Sequence, residues 1–133
     1  MKEQENTETV KLMYAAFGRG DKATLVQAFD DEVEWQIAGP SAIPICGSRH
    51  GRAQVAQFFT VLAETLETQQ FEPRQFIAQD DMVVVLGHER QRAKSTGRSY
   101  EGEWVQVFTL RDGKVVKYRE YFDTAAALAA FRV

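Results

Sequence analysis

A long alternating run broken only at Asp112-Gly113 constrains this chain more than any other feature. Glu103, Trp104, Val105, Gln106, Val107, Phe108, Thr109 and Leu110 alternate and are rich in β-branched and aromatic residues, and Val115 to Phe122 resumes the pattern. Asp-Gly tolerates the positive φ that a tight hairpin turn requires, so the two runs read as antiparallel partners. Successive side chains of a strand point to opposite faces. Trp104, Gln106, Phe108 and Leu110 therefore share one face, and Glu103, Val105, Val107 and Thr109 the other. On the second strand Val116, Tyr118, Glu120 and Phe122 oppose Val115, Lys117, Arg119, Tyr121 and Asp123.

If the aromatic faces coincide, Glu120 points inward. A carboxylate among Trp104, Phe108 and Tyr118 costs free energy unless paired, and its pKa rises. Raised carboxyl pKa values gather at acid–base sites, although structural ion pairs shift pKa values too. In the other packing Glu120 faces water and Arg119 or Tyr121 faces in, or Glu120 only pairs with an arginine.

At 133 residues the chain forms one domain, residues 1–133, long enough to bury most of its surface without metal or disulfide support. A formal charge of −3 argues against a nucleic-acid partner, which would call for a basic surface. No apolar run approaches the roughly 20 residues needed to cross a bilayer. The polar start MKEQENTET lacks a signal peptide's apolar core, so no membrane association and a cytoplasmic location are expected. Cys46 is the only cysteine, which excludes an intrachain disulfide; between Ile45 and Gly47 it reads as a small apolar residue rather than a nucleophile paired with His50. Two histidines and scattered carboxylates show no metal-ligand spacing, and no cofactor is expected.

Upstream, Val10, Met13, Tyr14 and Phe17 fall at helical spacing before Gly18-Arg19-Gly20 stops the helix. Asp21 suits the N-cap of a second, short helix carrying Leu25, Ala28 and Phe29. Val33, Trp35 and Ile37 then alternate with Glu32, Glu34 and Gln36 as a half-buried strand that ends at Gly39-Pro40. Ser41 to Arg52 shows no periodicity and reads as a long loop with a basic end at Arg49, His50 and Arg52. Val55, Phe58, Phe59, Leu62 and Leu66 stripe a third helix, a pattern that usually means core packing. Phe71 to Gln79 is a strand with Pro73 at its start or on an edge. A turn at Asp80-Asp81, a strand from Met82 through Arg90, a turn at Lys94 to Arg98 and a final helix from Thr124 to Phe131, capped by Thr124, complete the order. This order predicts an α+β domain with helices on one face of a bent antiparallel sheet, three of them in the N-terminal half and a short one at the C-terminus. Such a cone encloses a pocket, the default binding site.

The segments GRGDKATLVQAFDDEVEW, GSRHGRAQVAQFF and TGRSYEGEWVQVFTLRDGKVVKYREYFD resemble the SnoaL-like branch of the NTF2-like superfamily, which includes ketosteroid isomerases, polyketide cyclases and limonene epoxide hydrolase. The resemblance covers almost the whole chain and implies an NTF2-like cone. TGRSY and YREYFD look especially like the epoxide hydrolases. In that comparison the catalytic arginine matches Arg90, the general-acid aspartate falls on Arg92, and the water-activating aspartate falls on Glu120. The tyrosine and asparagine that hold the water fall on Trp35 and Ile37, which cannot replace them, so epoxide hydrolysis is not expected. The resemblance instead implies a pocket bounded by Tyr14, Phe17, Trp35, Ile37, Phe58, Trp104, Gln106, Phe108 and Tyr118. Within it Glu120 would move a proton on an apolar carbonyl or polycyclic substrate while Arg90 or His88 steadies the anion. Polyketide cyclases of this group use one acidic residue, a part open to Glu120 or Asp123. The competing expectation is a non-catalytic module that binds an apolar small molecule or serves a partner. Val105, Val107, Val115 and Tyr121 would leave an apolar outer face, which predicts a homodimer.

Overall fold

The computed structural model describes residues 1–132. Two helices open the chain, α1 (Lys2–Gly18) and α2 (Lys22–Gln27), followed by β1 (Phe29–Ile37), β2 (Gly47–His50) and α3 (Gly51–Thr65). Four strands follow, β3 (Leu66–Gln79), β4 (Met82–Ala93), β5 (Ser99–Arg111) and β6 (Lys114–Phe122), and α4 (Thr124–Phe131) closes the fold. The strands form a single curved, unclosed sheet in the order β2-β1-β6-β5-β4-β3. This is the α+β arrangement expected. No helix among the described residues is long and apolar enough to cross a membrane.

The sheet is not antiparallel throughout. β1 runs parallel to β6, with Trp35 beside Tyr118 and Ile37 beside Glu120. The physical reason is the open edge of the β3-to-β6 meander: β6 offers unpaired backbone groups there, and β1 satisfies them. This pairing brings residues more than eighty positions apart into one wall. β2 is also an addition to the expected elements, since Gly47 to His50 pairs with Ile37 to Glu34 inside the stretch read as loop. Four residues are too few to display a period.

The β5–β6 turn forms as its sequence demands, with Asp112 at φ 51° and Gly113 at φ 78°. A register shift between Thr109 and Leu110 then reverses the phase at the start of β6. Val115 is buried, against the expectation that it faces out, and Val116 is only half-buried. By Tyr118 and Glu120 the inward face is the one expected. Pro73 lies on β3, the edge strand, beside a second register shift between Pro73 and Gln75. Leu66 opens this strand rather than ending α3.

The helices cover the concave side. α1 buries Val10, Met13 and Ala16, and α3 buries Val55, Phe58 and Phe59. Asp21 caps α2 by accepting from the Thr24 amide at 3.1 Å.

Candidate functional site

Glu120 stands on β6 between two neighbouring strands, opposite Gln106 of β5 and beside Ile37 of β1. Tyr118 precedes it by two residues on the same face and donates to Glu120 Oε1 at 2.5 Å. Gln106 Nε2 donates to the same oxygen at 3.1 Å. Tyr14 reaches down from α1 and donates to Gln106 Oε1 at 2.6 Å, which fixes which end of the amide faces the carboxyl. Both bonds to Glu120 fall on Oε1. Among the described residues Oε2 has no donor, so it is the oxygen open to a ligand.

The surroundings of this carboxyl oppose its charge. Burial is the largest influence and raises the pKa, the Tyr118 hydrogen bond pulls it down, the charge of Glu89 pushes it up, and the Gln106 bond lowers it. The balance lifts Glu120 to about 7. Burial first and the Glu120 charge second raise the Tyr14 hydroxyl, and the same two causes lead for Tyr118, so both remain protonated donors.

Glu120 lines a cavity of ≈ 80 Å³. A single water needs about 10–15 Å³ on this kind of measure, so the space admits several waters or a compact small molecule. Its walls are mainly Met13, Phe17, Trp35, Phe58, Phe71 and Phe108, with Tyr14, Gln106 and Tyr118 on the polar side. Trp35 stacks on Tyr118 with ring centres 4.0 Å apart, which holds the phenol against the carboxyl. A wider and more polar groove of ≈ 390 Å³ shares Trp35 and Tyr118 and is lined by Glu34, Arg49, His50, Lys117 and Arg119. It contains no buried carboxylate, and His50 there faces Glu32 at 3.2 Å. The smaller cavity is the one that holds a buried carboxyl with a raised pKa.

Comparison with known proteins fits this geometry. The profile of the SnoaL-like domain matches residues 10–118. The chain belongs to the SnoaL-like family. An NTF2-like protein of Burkholderia xenovorans is 39% identical over 99% of both chains, with a TM-score of 0.90. An NTF2-like protein of unknown function from Burkholderia pseudomallei is 28% identical over 97% of this chain and 98% of its own, with a TM-score of 0.86. TerC, co-crystallised with polyporic acid, is 27% identical over 96% and 98%, with a TM-score of 0.83. Among curated proteins none matches. Together with the cavity, this makes the chain a small-ligand-binding domain of the SnoaL-like type.

Within this SnoaL-like cone, Tyr14, Phe17, Trp35, Phe58, Gln106, Phe108, Tyr118 and Glu120 do line the cavity. Ile37 and Trp104 are buried but stand behind the lining, Trp104 stacked flat on Phe71 at 4.7 Å. Arg90 and His88 are corrections to the expected site. Both lie on the outer face, where His88 Nε2 meets Glu101 Oε2 at 2.7 Å and Arg90 lies 3.7 Å from Glu101 and bonds Gln69 at 3.0 Å. Met82 to Leu86 are apolar on both faces, so the phase of β4 was not readable from that run. Asp123 is likewise outside the cavity. It caps α4 through the Ala126 amide at 3.0 Å, the role expected of Thr124.

Met13, Phe59 and Phe71 are among the apolar lining residues overlooked in sequence, and the polar ones are Glu89 and Gln91. They are the inward partners of β4, 6% and 4% exposed, and both line the cavity. Gly87 carried the signal. A glycine inside a strand marks close approach of a neighbour, here Trp104, and counting by two from it reaches Glu89 and Gln91.

Proposed function

We propose that this protein transfers a proton on a small conjugated carbonyl compound, as an isomerase or cyclase, with Glu120 as the base. One observation carries the reading: a buried carboxyl whose pKa stands at about 7, bound through one oxygen only, with the other open to the cavity. A base with that pKa is half ionised near neutral pH and strong enough to accept a proton from a carbon acid. TerC, crystallised with polyporic acid, supports a ligand that combines a conjugated carbonyl with aromatic surface.

The oxygen of such a ligand gains negative charge as the proton leaves. Tyr118 and Tyr14 already donate to Glu120 and Gln106, and Arg90 lies outside the cavity. Trp35 Nε1 is buried in the same wall with no partner among the described residues, and it is the donor left for that oxygen.

The test is deuterium exchange at the methyl group of 4-hydroxyacetophenone in D₂O, followed by NMR. Exchange accelerated by the protein and lost in Glu120→Gln supports the reading. Binding without accelerated exchange would leave a ligand-binding module. The outer face carries Val84, Leu86, Val105 and Tyr121 in one patch, and the same proposal includes a homodimer through it. A sedimentation mass of one chain at micromolar concentration would remove that part.

A further inference from the structure

The cavity has a second polar end that proton transfer at Glu120 does not use. Glu89 and Gln91 line it from β4, and Gln91 Nε2 donates to Glu89 Oε1 at 3.0 Å. That bond commits the donor end of the amide. Gln91 Oε1 is left with no partner among the described residues, although Gln91 is only 4% exposed. Tyr100, directly opposite Gln91 in the β4–β5 ladder, also buries a hydroxyl without a partner among those residues.

Most buried polar atoms of folded proteins are hydrogen-bonded, because an unmade bond leaves the full cost of desolvation uncompensated. Gln91 lines the cavity and Tyr100 stands behind the lining on the facing strand, so these two atoms side by side are a site waiting for a polar group. Their chemistry narrows what that group is. Gln91 Oε1 can only accept, and the Tyr100 hydroxyl can give a proton. A ligand hydroxyl serves both, since it has a proton to give and lone pairs to receive. A carbonyl oxygen has no proton for Gln91, and an ammonium has no lone pair for Tyr100.

We infer that Gln91 is a specificity residue that recognises a hydroxyl on the ligand, at the end of the molecule away from the acidic carbon that faces Glu120. The inference rests on the carbonyl reading above and deepens it: the ligand is a hydroxyaryl or similarly hydroxylated ketone. The ligand O–H donates to Gln91 Oε1, and its oxygen accepts from Tyr100. Glu89 positions Gln91 by holding the amide nitrogen. Glu89, Gln91 and Glu120 all line the one cavity of ≈ 80 Å³, so one compact molecule can touch both polar ends.

A matched pair of ligands tests this on the intact protein. Acetophenone and 4-hydroxyacetophenone differ only in the hydroxyl, and the affinity of each is read by tryptophan fluorescence or NMR titration. The expected result is at least tenfold tighter binding of the hydroxylated ketone, about the value of one well-made hydrogen bond. In Gln91→Leu that preference should vanish while acetophenone still binds. Equal affinities in the unmodified protein would overturn the inference without any variant. A preference that survives in Gln91→Leu would overturn it as well. If neither ketone binds at millimolar concentration, the inference falls together with the carbonyl reading. A preference that is intact and depends on Gln91, without deuterium exchange, supports the hydroxyl site and removes proton transfer alone.

Discussion

The Tyr118 hydroxyl donates to the same Glu120 oxygen that Gln106 holds, so the carboxyl is anchored on one side and bare on the other. A base used on a carbon acid needs that asymmetry: orientation from one lone pair, reactivity from another. The anchor also stabilises charge, and it opposes the burial that raises Glu120 to about 7.

Glu120→Gln should abolish proton transfer, by about 10²–10⁴-fold in rate, while keeping both anchoring bonds, because the amide oxygen can accept them. In the unmodified protein kcat/KM should rise with pH through about 7 as the base ionises. Stability should move the other way. A carboxyl whose folded pKa lies above its unfolded 4.5 favours the folded state below pH 4.5, and that contribution is lost as pH rises to about 7. The full loss is about 3 kcal/mol, at about 1.4 kcal/mol per pH unit. Urea titrations should therefore show Glu120→Gln more stable than the parent at pH 8 and equal to it near pH 4. A variant less stable at pH 8 would mean that Glu120 is not held at a cost.

Tyr118→Phe keeps the ring that stacks on Trp35 and removes only the hydrogen bond to the carboxylate. Because that bond favours the charged form, its loss should push the Glu120 pKa above about 7. The rising limb of the pH–rate profile should shift to higher pH, and the rate at pH 7 should fall several-fold. An unmoved limb would separate Tyr118 from the base.

Two adjacent residues on β4 should behave in opposite ways. Arg90→Ala removes an exposed side chain that touches Gln69 and Glu101, so it should cost less than about 1 kcal/mol and leave the pH profile alone. Glu89→Gln removes a buried charge that raises Glu120, so the limb should move to lower pH. A tenfold loss of rate in Arg90→Ala would place that residue back among the working groups.

This contrast shows what was legible in the sequence. On β5 the bulkiest apolar residues, Trp104, Phe108 and Leu110, all fall at even positions, and Asp112-Gly113 pins the turn, so the inward position of Gln106 followed from counting. Glu120 followed once the aromatic faces were matched. β4 offered no such contrast, because Met82 to Leu86 is apolar on both faces: one packs on the core and the other is the half-exposed outer side. The phase beyond it is therefore ambiguous in sequence, and His88 and Arg90 fall on the outer face rather than the inward one. The parallel β1–β6 pair was equally hidden, since strand order depends on which edges remain open after the meander forms, a property of the assembled sheet. Element order already implied the cone, which the family resemblance sharpened, and the anchoring of Glu120 through one oxygen depends on side-chain directions that no spacing encodes.

Gly87 ties the wall of the cavity to the stability of the sheet. A Cβ at this position would lie 2.6 Å from the Glu72 carbonyl oxygen and closer still to the Trp104 indole. Trp104 has nowhere to retreat, being almost fully buried and stacked on Phe71, which itself lines the cavity. Gly87→Ala should then destabilise by about 1–3 kcal/mol or more and weaken ligand binding through the displaced aromatic wall. Gly18→Ala is the matched control. It sits at the end of α1 with nothing within 4 Å of the added carbon, and alanine there should be neutral or stabilising by up to about 1 kcal/mol. Urea unfolding of both variants checks the pair: equal midpoints would mean that the indole does not need the space left by Gly87.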